Sequence, residues 1–222
     1  MNAAVVKVGG SLATHPEQLR VLCLKLAELS KRHALVVVGG GGEFADVVRI
    51  YDKQFNLSPK AAHRMAILGM DQYGLVLADL IPESVVVNSF EETKKTLGSG
   101  RLPVFLPSKL MLAEDPLENS WDVTSDSIAA YIAHRLHAEK LLLVTDVDGV
   151  FSSDPKKHPE AKHLKKVTAN ELLAIGGRTS VDAFLPKLLL KYKLECYVVN
   201  GLFAARVETV LGGQPTVCSL IS

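Results

Sequence analysis

The chain has 222 residues and a mass of 24.0 kDa, long enough to bury well over half of its unfolded surface without a metal or disulfide staple. Hydrophobic residues make up 48% and charged residues 22%, which excludes a disordered, collagen-like or coiled-coil chain. Lys and Arg number 25 against 24 Asp and Glu, a formal charge of +1, whereas a nucleic-acid or anionic-membrane binder carries a clear cationic excess.

The stretch from Met1 to Gly10 has neither the basic start nor the apolar core of a secretory signal, and strand-like residues begin at once. The apolar stretch 65–81 is interrupted by Asp71, Gln72 and Asp79, so it falls short of the roughly 18 uninterrupted residues of a membrane span. A cytoplasmic protein is expected. Cys23, Cys196 and Cys218 are too few and too scattered for a disulfide framework or a metal site, and read as reduced thiols of the core.

Short β-branched runs alternate with amphipathic stretches, the pattern of βα units around a mostly parallel sheet. Strands are expected at 4–8, 34–38, 84–87, 103–106, 140–145, 195–199 and 216–221. Most are apolar on both faces, as in Leu35-Val-Val-Val38 and Leu141-Leu-Leu-Val144, which suits strands covered by helices on either side. Between them, Ser58-Pro59 supplies a cap and a first-turn proline for a helix running to about Ile81. Ser89 with Glu92, and Thr168 with Glu171, each spell a capping box. Thr124-Ser-Asp126 can cap a helix whose Ile128, Ile132 and Leu136 fall on one stripe. The polar excursion Asp154-Pro-Lys-Lys-His-Pro159 to Lys166 is either a flap over one end of the sheet or a solvated loop. Gly201 and Gly212-Gly213 punctuate the end of the chain, and with no linker, repeat or low-complexity tract the sequence reads as one continuous α/β domain.

Two glycine-rich turns follow the first two strands: Lys7-Val-Gly9-Gly10-Ser11, and residues 39–42, all glycine, which open the helix Glu43-Phe-Ala-Asp-Val-Val-Arg49. Consecutive glycines at a strand-to-helix turn let backbone N–H groups converge on an anion, and the helix N-terminus adds its positive end. Two such turns in one sheet suggest a polyphosphate lying across them; tight turns without a ligand are the alternative. The Walker pattern is absent, since the lysine precedes its glycines. The dinucleotide pattern fails because Phe44 stands where a glycine is required. Lys7, at the end of a buried strand, would be expensive without anions around it unless its ammonium snorkels outward. Asp126 and Lys187, each in the first turn of a helix, are unremarkable alone.

The run Thr145-Asp146-Val-Asp148-Gly149-Val-Phe151 also fits the aspartyl nucleophile of a phosphatase, but too little chain follows it and no paired downstream carboxylates complete a metal site. His134 and His137 share a helical spacing without a third ligand and read as surface histidines. No serine-hydrolase elbow or zinc-protease helix occurs.

Taken in order, Lys7-x-Gly9-Gly10-Ser11, Gly39-Gly-Gly-Gly-Glu-Phe44, Thr124-Ser-Asp126-Ser, Thr145-Asp-Val-Asp-Gly-Val150 and Pro186-Lys187 resemble the amino-acid-kinase superfamily, over nearly the whole chain. The resemblance implies a three-layer αβα sandwich around a mainly parallel sheet, with residues 1–120 binding the acceptor and 121–222 binding ATP. Gly40-Gly-Gly-Glu-Phe-Ala-Asp-Val-Val-Arg49, Leu106-Pro-Ser-Lys-Leu110, Ser120-Trp121, Thr179-Ser-Val-Asp182 and Tyr197-Val-Val-Asn-Gly201 look like a short archaeal-type branch of it. That branch phosphorylates the phosphate of an aminomethylfuran phosphate in methanofuran biosynthesis.

By this resemblance Lys7 and Lys187 flank the transferring phosphoryl group, with Asp126 holding both ammonium groups. The amides of Gly9, Gly10, Gly40 and Gly41 cradle the phosphates. Asp146, Asp148 and Gly149 line the ribose and phosphate region, and Phe151 with the flap closes over the base. The donor is Mg²⁺-ATP, with no protein side chain assigned to the metal and no general base, since a phosphate acceptor is already a nucleophile. For the acceptor, Arg49, His63 and Arg64 could meet its phosphate, Trp121 its ring, and Asp46 or Asp71 its ammonium. A homo-oligomer without nucleic-acid or membrane partners is expected. Uridylate or isopentenyl-phosphate kinase activity, and a silent nucleotide-binding module on the same fold, are the alternatives.

Overall fold

The computed structural model describes residues 3–153, 158, 160–176 and 179–222. The first half runs β1 (Ala3–Val8), a 3-10 turn (Gly10–Thr14), α1 (Pro16–Ser30), β2 (Ala34–Gly39), α2 (Gly42–Phe55), α3 (Pro59–Leu80), β3 (Val85–Val87), α4 (Phe90–Gly98), β4 (Pro103–Phe105) and α5 (Ser108–Glu114). The second half follows with α6 (Ser125–Arg135), β5 (Lys140–Thr145), β6 (Val150–Phe151), β7 (His163–Leu164), β8 (Lys166–Val167), α7 (Ala169–Ile175), α8 (Leu185–Tyr192), β9 (Glu195–Asn200), α9 (Ala204–Leu211) and β10 (Cys218–Ile221).

Among the described residues an eight-stranded sheet runs in the order β3-β4-β2-β1-β5-β9-β10-β8, through both halves of the chain. It is parallel except at the β9–β10 junction. All seven expected strands are present. The two-residue strands β6, β7 and β8 were not expected, because a two-residue strand has no alternation to read.

Period-two alternation sends the strand side chains to two cores. Val5, Val36, Val38, Leu141 and Leu143 pack with Ile128, Ile132, Leu185 and Leu188 of α6 and α8. Val6, Val8, Leu35, Leu142 and Val144 pack with Leu19, Leu22, Leu26, Val207 and Val210 of α1 and α9 on the other face. Each fully buried Val or Leu contributes about 1.5–3 kcal/mol, so helices on both faces are what these strands require, and the result is the expected three-layer sandwich.

The local start signals largely hold. Ser58 Oγ accepts from the Ala61 amide, and Thr168 with Glu171 forms a complete capping box. Ser89 caps through the Glu92 amide, but the Glu92 carboxylate takes the amide of Asn88 rather than that of Ser89. Beyond the expected Ile128–Ile132–Leu136 stripe, α6 also buries Ala129, Ala130 and Ala133; small side chains let it lie close against β1. Residues 154–157 and 159 of the expected flap lie outside the described residues. The thiols of Cys23, Cys196 and Cys218 are unpaired, and burial pushes Cys23 up to about 12, which makes it unreactive.

Candidate functional site

The strand ends align. Val8 sits opposite Gly39 on one side and Val144 on the other, and Thr145 sits opposite Asn200. The chain leaves β1 for β2 on one side and later returns as β5 on the other, and a crevice beyond the carboxyl ends at such a reversal is where open α/β sheets take ligands. A cavity of about 300 Å³ opens there, lined by both glycine turns and by Lys7, Asp126 and Trp121.

Lys7 shares the β1 face of Val5, toward α6. Its Nζ lies 2.7 Å from Asp126 Oδ1, and both residues are buried. Asp126 sits in the first turn of α6, where the helix dipole favours a carboxylate. Its other oxygen accepts from the backbone amide of Asp182 at 3.1 Å. A buried cation needs such a partner, and this one holds the ammonium at the cavity wall.

The two glycine turns press on each other. The Gly9 amide donates to Val144 O at 2.7 Å and the Gly40 amide to Val8 O at 2.8 Å, so these two expected donors fasten the turns to the sheet instead of facing a ligand. Tyr73 Oη donates to Gly9 O at 3.3 Å from beneath. The amides of Gly10, Gly41 and Gly42 have no acceptor among the described residues, and all three glycines line the cavity. A Cβ on Gly10 would overlap the backbone N and Cα of Gly42, and Gly42 itself holds φ +54°, the left-handed region.

Asp146, Asp148, Gly149 and Phe151, the residues expected to meet the nucleotide, do not line this cavity, although Thr145 at the end of β5 does. The Thr145 hydroxyl donates to Asp146 at 3.3 Å. Asp148 accepts from Asn200 at 2.9 Å and from Arg206; against the upward pull of partial burial, these donors hold its carboxyl below the usual range. Gly149 leaves no room for a Cβ beside Ser219 and His163, and the Phe151 ring lies 5.3 Å from that of His163.

Lys187 stands exposed in the first turn of α8, its Nζ 5.3 Å from the Phe184 ring. Among the described residues it makes no ion pair with Asp126 and does not line the cavity, so the structure brings together two members of the expected trio.

At the opposite wall the Arg49 guanidinium lies 3.9 Å over the Trp121 ring, and Trp121 Nε1 donates to Asp52 Oδ2 at 2.7 Å. The indole is thus pinned, with one face already covered. Asp46, exposed on the same helix, lies 3.8 Å from Arg49 Nε. Burial holds the His63 imidazole below its usual range, against the pull of the Ser120 backbone, so at neutral pH it offers a hydrogen bond rather than a cation. Arg64 and Asp71 lie outside the lining. Asp71 takes the amide of Ser108 at 3.1 Å and its hydroxyl, capping α5 from another helix.

Two participants hold positions to which the sequence alone assigns no role. Asp52 follows Arg49 by three residues, the helical spacing that puts both on one side of α2. Asp182, 1% exposed, accepts from Thr124 N and Oγ1, Ser127 N and Oγ, Phe184 N and Leu185 N at 2.7–3.2 Å. An Asp shortly ahead of an apolar, proline-started helix is a local sign of its cap to α8; nothing local announces its hold on α6. His134 stacks on Tyr192, ring centres 4.0 Å apart, and no group of three or more His, Cys, Asp or Glu side chains is arranged to hold a metal ion among the described residues.

The amino acid kinase family model matches residues 2–200. The chain is 37% identical over 217 residues to the (5-(aminomethyl)furan-3-yl)methyl phosphate kinase of Methanocaldococcus jannaschii, covering 98% of this chain and 96% of that one. It is 29% identical to the uridylate kinase of Thermococcus kodakarensis, with 95% of each covered. The fold superposes on the crystal structure of the uridylate kinase from Archaeoglobus fulgidus over the full length of both chains, with a TM-score of 0.79 at 21% identity.

Proposed function

The chain belongs to the amino acid kinase family and is a phosphotransferase, and from that premise we propose that it moves the γ-phosphoryl group of ATP onto the phosphate of an aminomethylfuran phosphate, giving the diphosphate, in methanofuran biosynthesis. The observation that carries the chemistry is the buried Lys7–Asp126 pair facing the amides of Gly10, Gly41 and Gly42 across one small cavity. Phosphoryl transfer asks a protein for positioning and charge neutralisation more than for covalent steps. Lys7 is held against the equatorial oxygens of the transferring group, and the three amides hold its neighbours in line. Lys187 reaches in from α8 when nucleotide is bound, and Asp146, Asp148, Gly149 and Phe151 receive the ribose, phosphates and base. Bound Mg²⁺ supplies charge neutralisation between the phosphates. No group of three or more metal-ligating side chains that could hold it is present among the described residues.

On the acceptor side Arg49, fixed over Trp121, meets the substrate phosphate, His63 adds a hydrogen bond, and Asp46 meets the aminomethyl ammonium. Uridylate has no ammonium for Asp46, which is why the furan compound is favoured; the uridylate kinase relatives keep UMP as the second reading. Incubating the protein with ATP and Mg²⁺ is expected to release ADP with the furan phosphate and not with UMP, isopentenyl phosphate or amino acids. Consumption of UMP alone replaces the acceptor assignment, and no ADP with any compound leaves only a nucleotide-binding module.

No helix among the described residues is long and apolar enough to cross a membrane, and a cytoplasmic homo-oligomer is proposed. The outer sides of α2 and α3 expose Phe44, Val47, Tyr51, Leu75 and Val76 beside Arg20, Glu43 and Asp79. An apolar patch rimmed by both charge signs suits a twofold contact. Light scattering is expected to give at least twice 24.0 kDa, and Val47→Glu to give the monomer mass; a wild-type monomer refutes the assembly.

A further inference from the structure

Asp182 belongs to neither wall of the cavity, yet it is tied to both cationic arms of the proposed reaction. One carboxylate oxygen takes Thr124 N at 2.9 Å, Thr124 Oγ1 at 2.9 Å and Ser127 N at 3.0 Å, all at the start of α6. The other takes Ser127 Oγ at 2.7 Å, Leu185 N at 2.7 Å and Phe184 N at 3.2 Å, the last two at the start of α8. Its own backbone amide donates to Asp126 Oδ2. One buried carboxylate therefore joins the positive ends of the two helices that carry Asp126 and Lys187.

We infer that Asp182 is a positioning residue of phosphoryl transfer, which fixes Asp126 beneath Lys7 and sets the point from which Lys187 reaches the substrate. This rests on the roles proposed above for Lys7, Asp126 and Lys187. An ordinary structural carboxylate would cap one helix. This one fastens two helices whose first residues, Ser125 and Leu185, lie sixty positions apart, at the two places where reaction geometry is most sensitive, and small displacements of such groups slow a reaction without changing its ligands. Six donors converge on the two oxygens of this one carboxyl group. Burial, and next the Asp126 charge, push the Asp182 carboxyl above the usual carboxylate range, and the Ser127 and Thr124 donors pull against that.

Asp182→Asn has almost the same shape but turns an N–H₂ toward one of the two sets of donors. With ATP, Mg²⁺ and the furan phosphate, or UMP if that is the compound consumed, kcat per folded molecule is expected to fall at least about 30-fold while KM for ATP changes less than about threefold. Thr124→Val, which removes one donor and keeps the residue's shape, is expected to move kcat in the same direction by a smaller factor; it stands in should Asp182→Asn not fold. Ile132→Val, a change within α6 that touches none of these groups, is expected to lower the melting temperature and leave kcat unchanged. Wild-type kcat in folded Asp182→Asn, or equal kcat in Thr124→Val and Ile132→Val, overturns the inference. If Lys7→Ala also keeps its turnover, the functional reading itself is at fault; if Lys7→Ala is inactive while Asp182→Asn is not, only the positioning role fails.

Discussion

Lys7→Ala is expected to slow phosphoryl transfer at least about 100-fold, the loss that follows when charge developing in a transition state is deprived of a fixed partner. The variant carries a second penalty. Asp126 stays buried with its carboxylate facing the space the ammonium left, and breaking a buried pair by removing one member typically costs about 3–5 kcal/mol. The two effects separate in a double variant. Lys7→Met with Asp126→Asn removes both charges, so thermal melting is expected to recover most of the lost stability while turnover stays low. Lys187→Ala is expected to behave in the opposite way. Lys187 is exposed and its Nζ makes no ion pair or hydrogen bond among the described residues, lying 5.3 Å from the Phe184 ring, so melting should stay within about 0.5 kcal/mol of wild type while transfer slows about 100-fold. Stability loss without rate loss at Lys7 would remove it from the reaction. Wild-type rates in Lys187→Ala would reduce the catalytic cations to one.

What the sequence made legible was whatever depends on neighbours along the chain. The strands showed through their β-branched runs, the glycine turns through their composition, Ser58 as a cap through the proline that follows it, and Thr168 through the glutamate three positions on. Lys7 and Asp126 were legible as a pair only through resemblance, since the 118 positions between them carry no local signal that they meet. Caps supplied from a distance were invisible for the same reason. Asp71 closes α5 and Asp182 closes α6, in each case from another part of the chain, so the chemistry of the implied acceptor drew Asp71 toward its ammonium, and Asp182, though part of the resembling stretch Thr179-Ser-Val-Asp182, had no role assigned. The glycine amides were half legible. Composition says that N–H groups crowd a turn, whereas which of them face the ligand depends on where neighbouring carbonyls lie, and Val144 O and Val8 O take those of Gly9 and Gly40.

Gly10→Ala is expected to abolish nucleotide binding more completely than any other single methyl added to the turns. The new Cβ would overlap the Gly42 backbone, and backbone cannot swing aside as a side chain does, so the two turns must part. Overpacking of this kind costs about 1–3 kcal/mol of stability. Parting the turns also moves the Gly10 amide away from those of Gly41 and Gly42, and a cradle of donors depends on their fixed mutual spacing. Calorimetric titration with Mg²⁺-ATP is expected to show affinity at least about 30-fold weaker. Gly42→Ala supplies the contrast. Its Cβ would find ordinary contact distances of 3.6 and 3.7 Å, and the obstacle is the left-handed φ of +54°, a strain of about 1–2 kcal/mol that leaves the turns together. Melting should therefore fall in both variants, whereas ATP affinity should collapse only in Gly10→Ala. If Gly10→Ala binds ATP as tightly as wild type, the anion is not held between the two turns, and the cavity beside Lys7 is not where phosphate lies.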